Sequence, residues 1–189
     1  MNIEQKPEII KPNRSVYTIY KYANLNSTNA FLKQHSSSLP DYSVIWADEQ
    51  TEGRGRFARI WDSQPGLDLT FSILLPLTSL EQKRRQNITQ IAALSIAQAL
   101  EVYGLKPSVK WPNDVLIHGK KISGILCEIT ETDERVYGVL GIGINVNNTE
   151  KFLASLDIPA TSLRCELRHK VARKDLLKKL LEIIINCFN

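Results

Sequence analysis

Three arginines and two glycines lie within seven residues of one another, shortly after an apolar run at residues 43–47. The run has the composition of a buried strand, and the loop behind it carries Gly53, Arg54, Gly55, Arg56 and Arg59. Glycine lets the backbone approach a ligand closely, and arginine offers a fork of donors that matches carboxylate and phosphate oxygens. The spacing favours a loop that binds such anions, although a solvated basic loop remains the alternative for so short a run.

A second cluster, at residues 110–128, reads Lys-Trp-Pro-Asn-Asp-Val-Leu-Ile-His-Gly-Lys-Lys-Ile-Ser-Gly-Ile-Leu-Cys-Glu. It predicts two strands, at residues 115–118 and 121–128, joined through a two-residue turn at Gly119 and Lys120. Lys121 would follow this turn, with Gly124 leaving room beside it. Taken alone, Lys121 is an ordinary hairpin charge and Asp114 an ordinary turn cap.

The two clusters, in this order, resemble the signatures of the biotin protein ligase family, a GRGR-type loop and a KWPND…K(I/L)xGIL hairpin. Ser27-Thr28-Asn29 upstream and Gly141-Ile142-Gly143-Ile144-Asn145 downstream extend the resemblance. It implies ATP-dependent activation of biotin as biotinyl-5'-AMP with release of pyrophosphate. It also implies transfer of biotin to a specific lysine of a biotin carboxyl carrier protein, part of a biotin-dependent carboxylase such as acetyl-CoA carboxylase.

The resemblance implies a role for each matching residue. Lys121 and Arg56 are the implied catalytic cations, and Lys121 would touch both the biotin carboxylate and the α-phosphate of ATP. The residues implied for biotin binding are Ser27, Thr28, Asn29, Gln50, Gly53, Arg54, Trp61, Lys121 and Gly124. Those implied for ATP and adenylate binding are Arg56, Arg59, Asn113, Lys121 and Asn145. Asp114 is the implied ligand of Mg²⁺, which takes few carboxylates and keeps several waters.

The residues alone leave plainer explanations open for several of these positions. Ser27, or Asn26 before it, is a good N-cap for the helix that follows, so Ser27 and Asn29 could serve only to begin that helix. Trp61 could belong to the core rather than cover the ring of biotin. Arg59 could be an ordinary surface residue.

The implied reaction explains why cations would gather around such a site. Adenylation brings an anionic carboxylate to a polyanionic triphosphate, so fixed positive charge is needed where charge develops in the transition state. The candidates are Arg54, Arg56, Arg59 and Lys121, with Mg²⁺ on the phosphates. The attacking carrier lysine must be deprotonated, and because no general base stands out in the sequence, positioning would supply most of the rate of transfer.

Periodicity predicts a fold rich in hairpins. Alternating apolar residues predict strands at residues 16–20, 43–47, 67–74, 108–111, 115–118, 121–128 and 135–146. Helical spacing predicts helices after residues 26–27, at 81–103 with Gly104 as the C-terminal cap, and at 174–188. The expected fold class is therefore α/β (α+β), a mixed, largely antiparallel central sheet flanked by helices. The resemblance implies a core like that of class II aminoacyl-tRNA synthetases. Residues 141–145 lack the third glycine of a dinucleotide-binding fingerprint.

Composition favours a cytoplasmic globular protein. The chain has 189 residues, 43% of them hydrophobic and 23% charged, which suits one domain. A net charge of +4 is small for a dedicated nucleic-acid binder. Three scattered cysteines form neither a disulfide framework nor a metal pattern, as expected in a reducing compartment. The sequence has no apolar signal segment and no run long enough to span a membrane.

The ends of the chain predict one catalytic domain at residues 15–189, preceded by a flexible arm at residues 1–14. Some members of the family carry an N-terminal helix-turn-helix, for which this arm is too short, so no DNA binding is expected. Most bacterial relatives continue into a small SH3-like domain, and this chain stops at Asn189. Family members often pair edge strands, so a homodimer is possible.

Two rival functions remain compatible with parts of the sequence. A non-catalytic biotin-binding sensor would keep Ser27, Gln50 and Gly53 while losing the phosphate chemistry, and Lys121 and Asp114 argue against it. A lipoate or octanoyl transferase belongs to the same broader fold family. It would favour a wholly apolar pocket over the Ser-Thr-Asn and GRGR pair.

Overall fold

Eight strands form one sheet in the computed structural model, which describes residues 7–10, 16–77, 85–132 and 135–188. The strands are β1 (Glu8–Ile10), β2 (Tyr17–Leu25), β3 (Ser43–Gln50), β4 (Leu69–Pro76), β5 (Pro107–Lys110), β6 (Asp114–Ile117), β7 (Lys120–Glu131) and β8 (Val136–Ile144). Their order across the sheet is β1-β2-β3-β4-β8-β7-β6-β5. β2 and β3 run parallel, and the other neighbouring pairs of described strands run antiparallel. The predicted fold class is confirmed.

Helices cover the two faces of this sheet unequally. They are α1 (Thr28–His35), α2 (Ile88–Glu101), α3 (Glu150–Leu153), α4 (Leu163–Leu167) and α5 (Arg173–Phe188). α2 and α5 lie on one face, where Ile96 and Leu180 share a buried core with Ile142 of β8. α1 lies on the opposite face, where Leu32 packs with Ile45 and Val139.

The larger core holds α5 in place. Leu176, Leu177, Leu180, Leu181 and Ile184 are fully buried, and their spacing puts them on one stripe of the helix. Burying one such side chain stabilises the fold by roughly 1.5–3 kcal/mol. Because α2 and α5 occupy this face, the part of the opposite face that α1 does not cover is left for a site.

Several element boundaries differ from the predicted ones. The turn between β6 and β7 is at His118 and Gly119, not at Gly119 and Lys120, because Lys120 already pairs with Ile117. Both turn residues have positive φ (50° and 76°), as a tight hairpin turn with the right twist requires. Of the helix predicted at residues 81–103, the first four residues lie outside the described ranges, and α2 begins at Ile88. Gly104 has the predicted left-handed conformation, with φ of 77°.

The periodicity of the sequence does not predict the shortest elements. Glu8–Ile10, inside the segment predicted as a loose arm, pair with β2 as an edge strand. α3 and α4 have four and five residues, too few for a helical repeat, although Thr149 and Ser162 cap them as side-chain acceptors. No helix of the described residues is long and apolar enough to cross a membrane.

Candidate functional site

Glycines on β7 and β8 open a groove on the face of the sheet that carries α1. Gly124 pairs with Gly143, and Gly141 lies two residues further along β8. A Cβ atom on Gly143 would come within 2.5 Å of Trp61 Cζ2, and one on Gly141 would overlap the Asn29 carboxamide. A side chain at either position would therefore displace a wall of the groove.

This groove is part of a cavity of about 810 Å³, within the usual range of small-molecule sites. The cavity brings together nearly all residues predicted for the site: Ser27, Thr28, Asn29, Gln50, Arg54, Arg56, Arg59, Trp61, Asn113, Asp114, Lys121, Gly124 and Asn145. Gly53 does not line it. Gly53 is buried behind Trp61, and its carbonyl oxygen accepts from the Trp61 N–H at 2.9 Å.

One end of the cavity, which we call the amide end, is built from the N-terminus of α1 and the end of β3. Ser27 is the N-cap of α1, and its Oγ accepts from the Ala30 N–H at 3.4 Å. Gln50 Oε1 accepts from the Thr28 N–H at 2.8 Å and lies 3.0 Å from Thr28 Oγ1. The amide oxygen of Gln50 is therefore fixed, which leaves its Nε2 as a donor.

The Asn29 carboxamide is occupied by the protein itself. Its Oδ1 accepts from Ser72 Oγ at 2.6 Å, and its Nδ2 donates to Glu128 Oε2 at 2.8 Å and to the Leu126 carbonyl at 3.3 Å. Asn29 thus faces the cavity with a side chain whose polar atoms are already paired. The sequence predicted no role for Ser72 or Glu128: Ser72 stands in no motif, and Glu128 ends the second cluster without a role that the resemblance implies.

Lys121 lies at the middle of the cavity, and both its backbone and its side chain are held by neighbouring groups. Its backbone N–H donates to the Pro159 carbonyl at 2.8 Å, and its carbonyl accepts from the Thr161 N–H at 2.9 Å. Its Nζ is 2.8 Å from Asp114 Oδ1 and 5.7 Å from the centre of the Trp61 ring. The side chain is 19% exposed, so the ammonium group stays within the cavity wall.

The arginine loop forms the other end of the cavity. It is closed by the Gly55 N–H, which donates to the Arg59 carbonyl at 2.8 Å. Arg56 Nη1 reaches Asn113 Oδ1 at 3.5 Å and so approaches the segment before β6, while Arg54 and Arg59 are exposed. Arg54, Arg56, Arg59, Lys110 and Lys121 line the cavity against Asp62, Asp114 and Asp157, an excess of positive charge that favours anions.

Asn145 holds the cavity wall together through its amide nitrogen. Its Nδ2 donates to the Thr161 carbonyl at 2.9 Å and to the Lys121 carbonyl at 3.4 Å. The side chain is buried, so this nitrogen fixes the segment beside Lys121.

The carboxylate of Asp114 is paired with the ammonium group of Lys121, a contact that the sequence does not reveal. The described residues contain no group of three or more His, Cys, Asp or Glu side chains that could hold a metal ion. Asp114 and Asn113 nevertheless present the hard oxygen atoms that Mg²⁺ prefers. One carboxylate is enough for an ion that arrives on phosphates, so the donor set fits Mg²⁺ bound with a nucleotide.

The sheet, the glycine groove and the cationic loop define an α/β protein whose cavity suits a small anionic molecule. Residues 22–145 match the model of the Biotin/lipoate A/B protein ligase family, and the chain belongs to this family. This confirms the resemblance drawn from the motifs.

Several of the relatives that the chain resembles are biotin protein ligases. It is 39% identical over 149 residues to the bifunctional ligase/repressor BirA of Bacillus spizizenii, covering 77% of this chain and 46% of that protein. It is 33% identical over 147 residues to the biotin–[acetyl-CoA-carboxylase] ligase of Mycobacterium tuberculosis, covering 75% and 53%.

Among solved structures, the biotin protein ligase from Aquifex aeolicus in complex with biotin and ATP superposes with a TM-score of 0.78. It shares 33% identity, and the match covers 90% of this chain and 69% of that one. The chain spans about half the length of the curated relatives it matches.

Proposed function

We propose that this protein activates biotin with ATP and transfers it to a lysine of a biotin carboxyl carrier protein. The observation that carries the proposal is the order of groups along the cavity. Asn29, at the amide end, lies beside Gly141. Trp61 lies beside Gly143 and Lys121 lies beside Gly124, and Gly143 is about 7 Å from Gly141 along β8. The arginine loop follows. A neutral polar ring, an aliphatic chain and a carboxylate would meet matching surroundings in that order.

In the first half-reaction, a carboxylate oxygen of biotin attacks the α-phosphorus of ATP. A new C–O–P linkage forms, the bond to the β-phosphate breaks, and pyrophosphate leaves with the electron pair. Lys121 is placed to offset the charge of the carboxylate and of the α-phosphate, and Arg56 that of the phosphates. Fixed cations in a site with little water stabilise this transition state strongly.

In the second half-reaction, the neutral amine of the carrier lysine attacks the carbonyl carbon of biotinyl-5'-AMP. An amide bond forms, AMP leaves with the electron pair of the broken C–O bond, and the amine nitrogen gives up one proton to solvent. Asn145 would help to hold the adenylate while the acceptor docks, so that positioning supplies most of the rate.

Mg²⁺ belongs to the proposal as a partner of the nucleotide. Asp114 and Asn113 would hold it, and when bound it would neutralise phosphate charge. The proposal also includes a cytoplasmic location, where ATP and the carrier protein are present. A homodimer, the absence of DNA binding and the single catalytic domain at residues 15–189 stay predictions.

The proposal is tested by biotin-dependent exchange of labelled pyrophosphate into ATP, in the presence of magnesium. Exchange that requires biotin, and that lipoate does not support, is the expected result. Exchange supported by lipoate instead would favour a lipoate ligase. Biotin binding measured by calorimetry without any exchange would favour a sensor. A biotinylated carrier domain, detected by mass spectrometry, then tests the second half-reaction.

A further inference from the structure

We propose that Glu128, which does not line the cavity, is a positioning residue that sets the pattern of hydrogen-bond donors and acceptors at the amide end. Through this pattern, the site would select a cyclic urea over a cyclic guanidinium of the same shape. The inference deepens the proposed function and rests on it. It assigns to Glu128 a role in selecting the substrate, in addition to any role in stabilising the fold.

The hydrogen-bond network behind the amide end begins at the Glu128 carboxylate. Burial raises its pKa, but hydrogen bonds from Lys33 and Asn29 outweigh this and leave the pKa below its usual value. An ionised carboxylate only accepts hydrogen bonds. Asn29 must therefore turn its Nδ2 towards Glu128, at 2.8 Å, and the Leu126 carbonyl favours the same orientation. Asn29 Oδ1 is thereby directed at Ser72.

The hydrogen-bond network continues from Ser72 to Thr28. Asn29 Oδ1 is an acceptor, so the single proton of the buried Ser72 hydroxyl is committed to it at 2.6 Å. Ser72 Oγ can then offer only lone pairs to Thr28 Oγ1, which is 2.7 Å away. The Thr28 hydroxyl proton is then directed at Ser72 Oγ or at Gln50 Oε1, 3.0 Å away, so it is used inside the wall, and Thr28 faces the cavity as an acceptor.

Donors complete the pattern at the amide end. Gln50 Nε2 is a donor because its Oε1 is fixed by the Thr28 N–H. The hydroxyl proton of Ser27 is available because its Oγ serves α1 as an acceptor. Two donors and one acceptor match a urea, whose carbonyl accepts while its N–H groups donate. A guanidinium has only donors. Where the urea has its carbonyl oxygen, the guanidinium would place an N–H group that faces the donors of Gln50 and Ser27.

Glu128 also pairs with Lys33 at 2.9 Å, so it additionally links α1 to β7. The two roles can be separated by substitution. Lys33→Met removes the ion pair and leaves Asn29 its acceptor. Glu128→Gln removes the charge and keeps an oxygen that Asn29 can use. Glu128→Leu removes both, and Asn29 Nδ2 keeps only the Leu126 carbonyl at 3.3 Å.

The test measures the dissociation constants of biotin and of 2-iminobiotin, its guanidinium analogue, by calorimetry at pH 7 on the full chain and these three variants. Glu128→Leu should weaken biotin binding by about tenfold, as expected for a lost buried hydrogen-bond arrangement. It should also lower the preference for biotin over 2-iminobiotin by a similar factor. Glu128→Gln and Lys33→Met should keep both quantities within about twofold of the parent, a bound below the usual effect of one hydrogen bond.

Thermal unfolding of the same variants shows whether a loss of biotin affinity is accompanied by a loss of fold stability. A link between α1 and β7 alone predicts that Lys33→Met and Glu128→Leu lose equally in biotin affinity, and this result would overturn the inference. An unchanged preference in Glu128→Leu would overturn it as well. If the parent protein binds no biotin at all, the proposed function is wrong, and this inference, which rests on it, is wrong as well.

Discussion

Two neighbours hold the ammonium group of Lys121, and two hydrogen bonds hold its backbone. Asp114 supplies an opposite charge at 2.8 Å, the Trp61 ring lies at 5.7 Å, and the backbone of Lys121 is bonded on both sides. A flexible lysine would lose side-chain entropy on binding a substrate, and these contacts limit that loss. At the scale of the residue, the site is therefore organised around a pre-positioned charge.

Lys121→Ala should leave biotin bound and lower the rate of adenylate formation by on the order of 100-fold or more, the usual effect of losing one transition-state donor. Pyrophosphate exchange measures the rate, and calorimetry measures the binding of biotin. Lys120→Ala is the matched control, because Lys120 is the exposed neighbour on β7 and does not line the cavity. A fully active Lys121→Ala variant would remove the central role given to this lysine.

Candidate residues that belong to a local motif could be found from the sequence, and those that act across the sheet could not. Arg56 and Lys121 stand in short runs of recognisable composition. Ser72 and Glu128 contact Asn29 across 43 and 99 positions of the chain. Such contacts depend on the register of the strands, which periodicity does not give. The pairing of Asp114 with Lys121 was missed for the same reason.

At the scale of the element, β8 serves two purposes on its two faces. Leu140 and Ile142 point into the core beneath α2 and α5, while Gly141 and Gly143 leave the opposite face bare. This alternation follows from the period of two along a strand. The strand was predicted from the sequence, and its glycines were read as part of the family resemblance and as a failed dinucleotide fingerprint, with no structural role assigned to them. Trp61 shows their function, because it packs against Gly143.

Gly143→Ala should weaken biotin binding by tenfold or more, because the new methyl group would force Trp61 out of the cavity wall. Gly138→Ala, on the same strand, is the control: its methyl group would lie 3.4 Å from Leu77 Cδ2, an ordinary contact on the other face. Calorimetry with biotin and the fluorescence of the tryptophans report the two effects. Equal affinities in the two variants would contradict the packing role of Gly143.

Boundaries of the elements were predicted less well than their existence. β2, β3 and β7 are longer than predicted, since their ends carry polar residues such as Lys21, Asp48 and Glu131. Alternation of apolar residues stops at such positions, whereas backbone pairing continues. Register within the sheet, rather than local composition, therefore decides where these strands end.

At the scale of the whole molecule, a partly buried polar cluster connects α5 to the sheet on the face away from the cavity. Arg173 Nη1 is 2.7 Å from Asp48 Oδ1 and donates to the Asp68 carbonyl at 2.9 Å, and its guanidinium lies over Trp46. Lys21 also pairs with Asp48, at 2.6 Å. The Asp68 carboxyl group is fully buried beside them. Burial raises its pKa from 3.8 to about 7, against the opposing effects of the Gln64 N–H, Asn148 and Arg173.

The raised pKa of Asp68 makes the stability of the whole fold depend on pH. Below about pH 4 the carboxyl group is protonated in both the folded and the unfolded state, so its protonation does not oppose folding. Between about pH 4 and pH 7 the unfolded chain releases the proton and the folded chain keeps it. The free energy of unfolding therefore falls as pH rises through this window. At about 1.4 kcal/mol per pKa unit, the full loss is roughly 4–4.5 kcal/mol.

Asp68→Asn should abolish this loss, because asparagine keeps an oxygen for the Gln64 N–H and carries no charge at any pH. The free energy of unfolding of the variant, relative to the parent, should rise by about 2–4 kcal/mol between pH 4.5 and pH 8. Urea titrations at several pH values measure this difference. Asp157→Asn, at an exposed position, controls for the loss of a carboxylate. A difference between Asp68→Asn and the parent that stays constant with pH would mean that Asp68 is charged in the folded protein, compensated by Arg173.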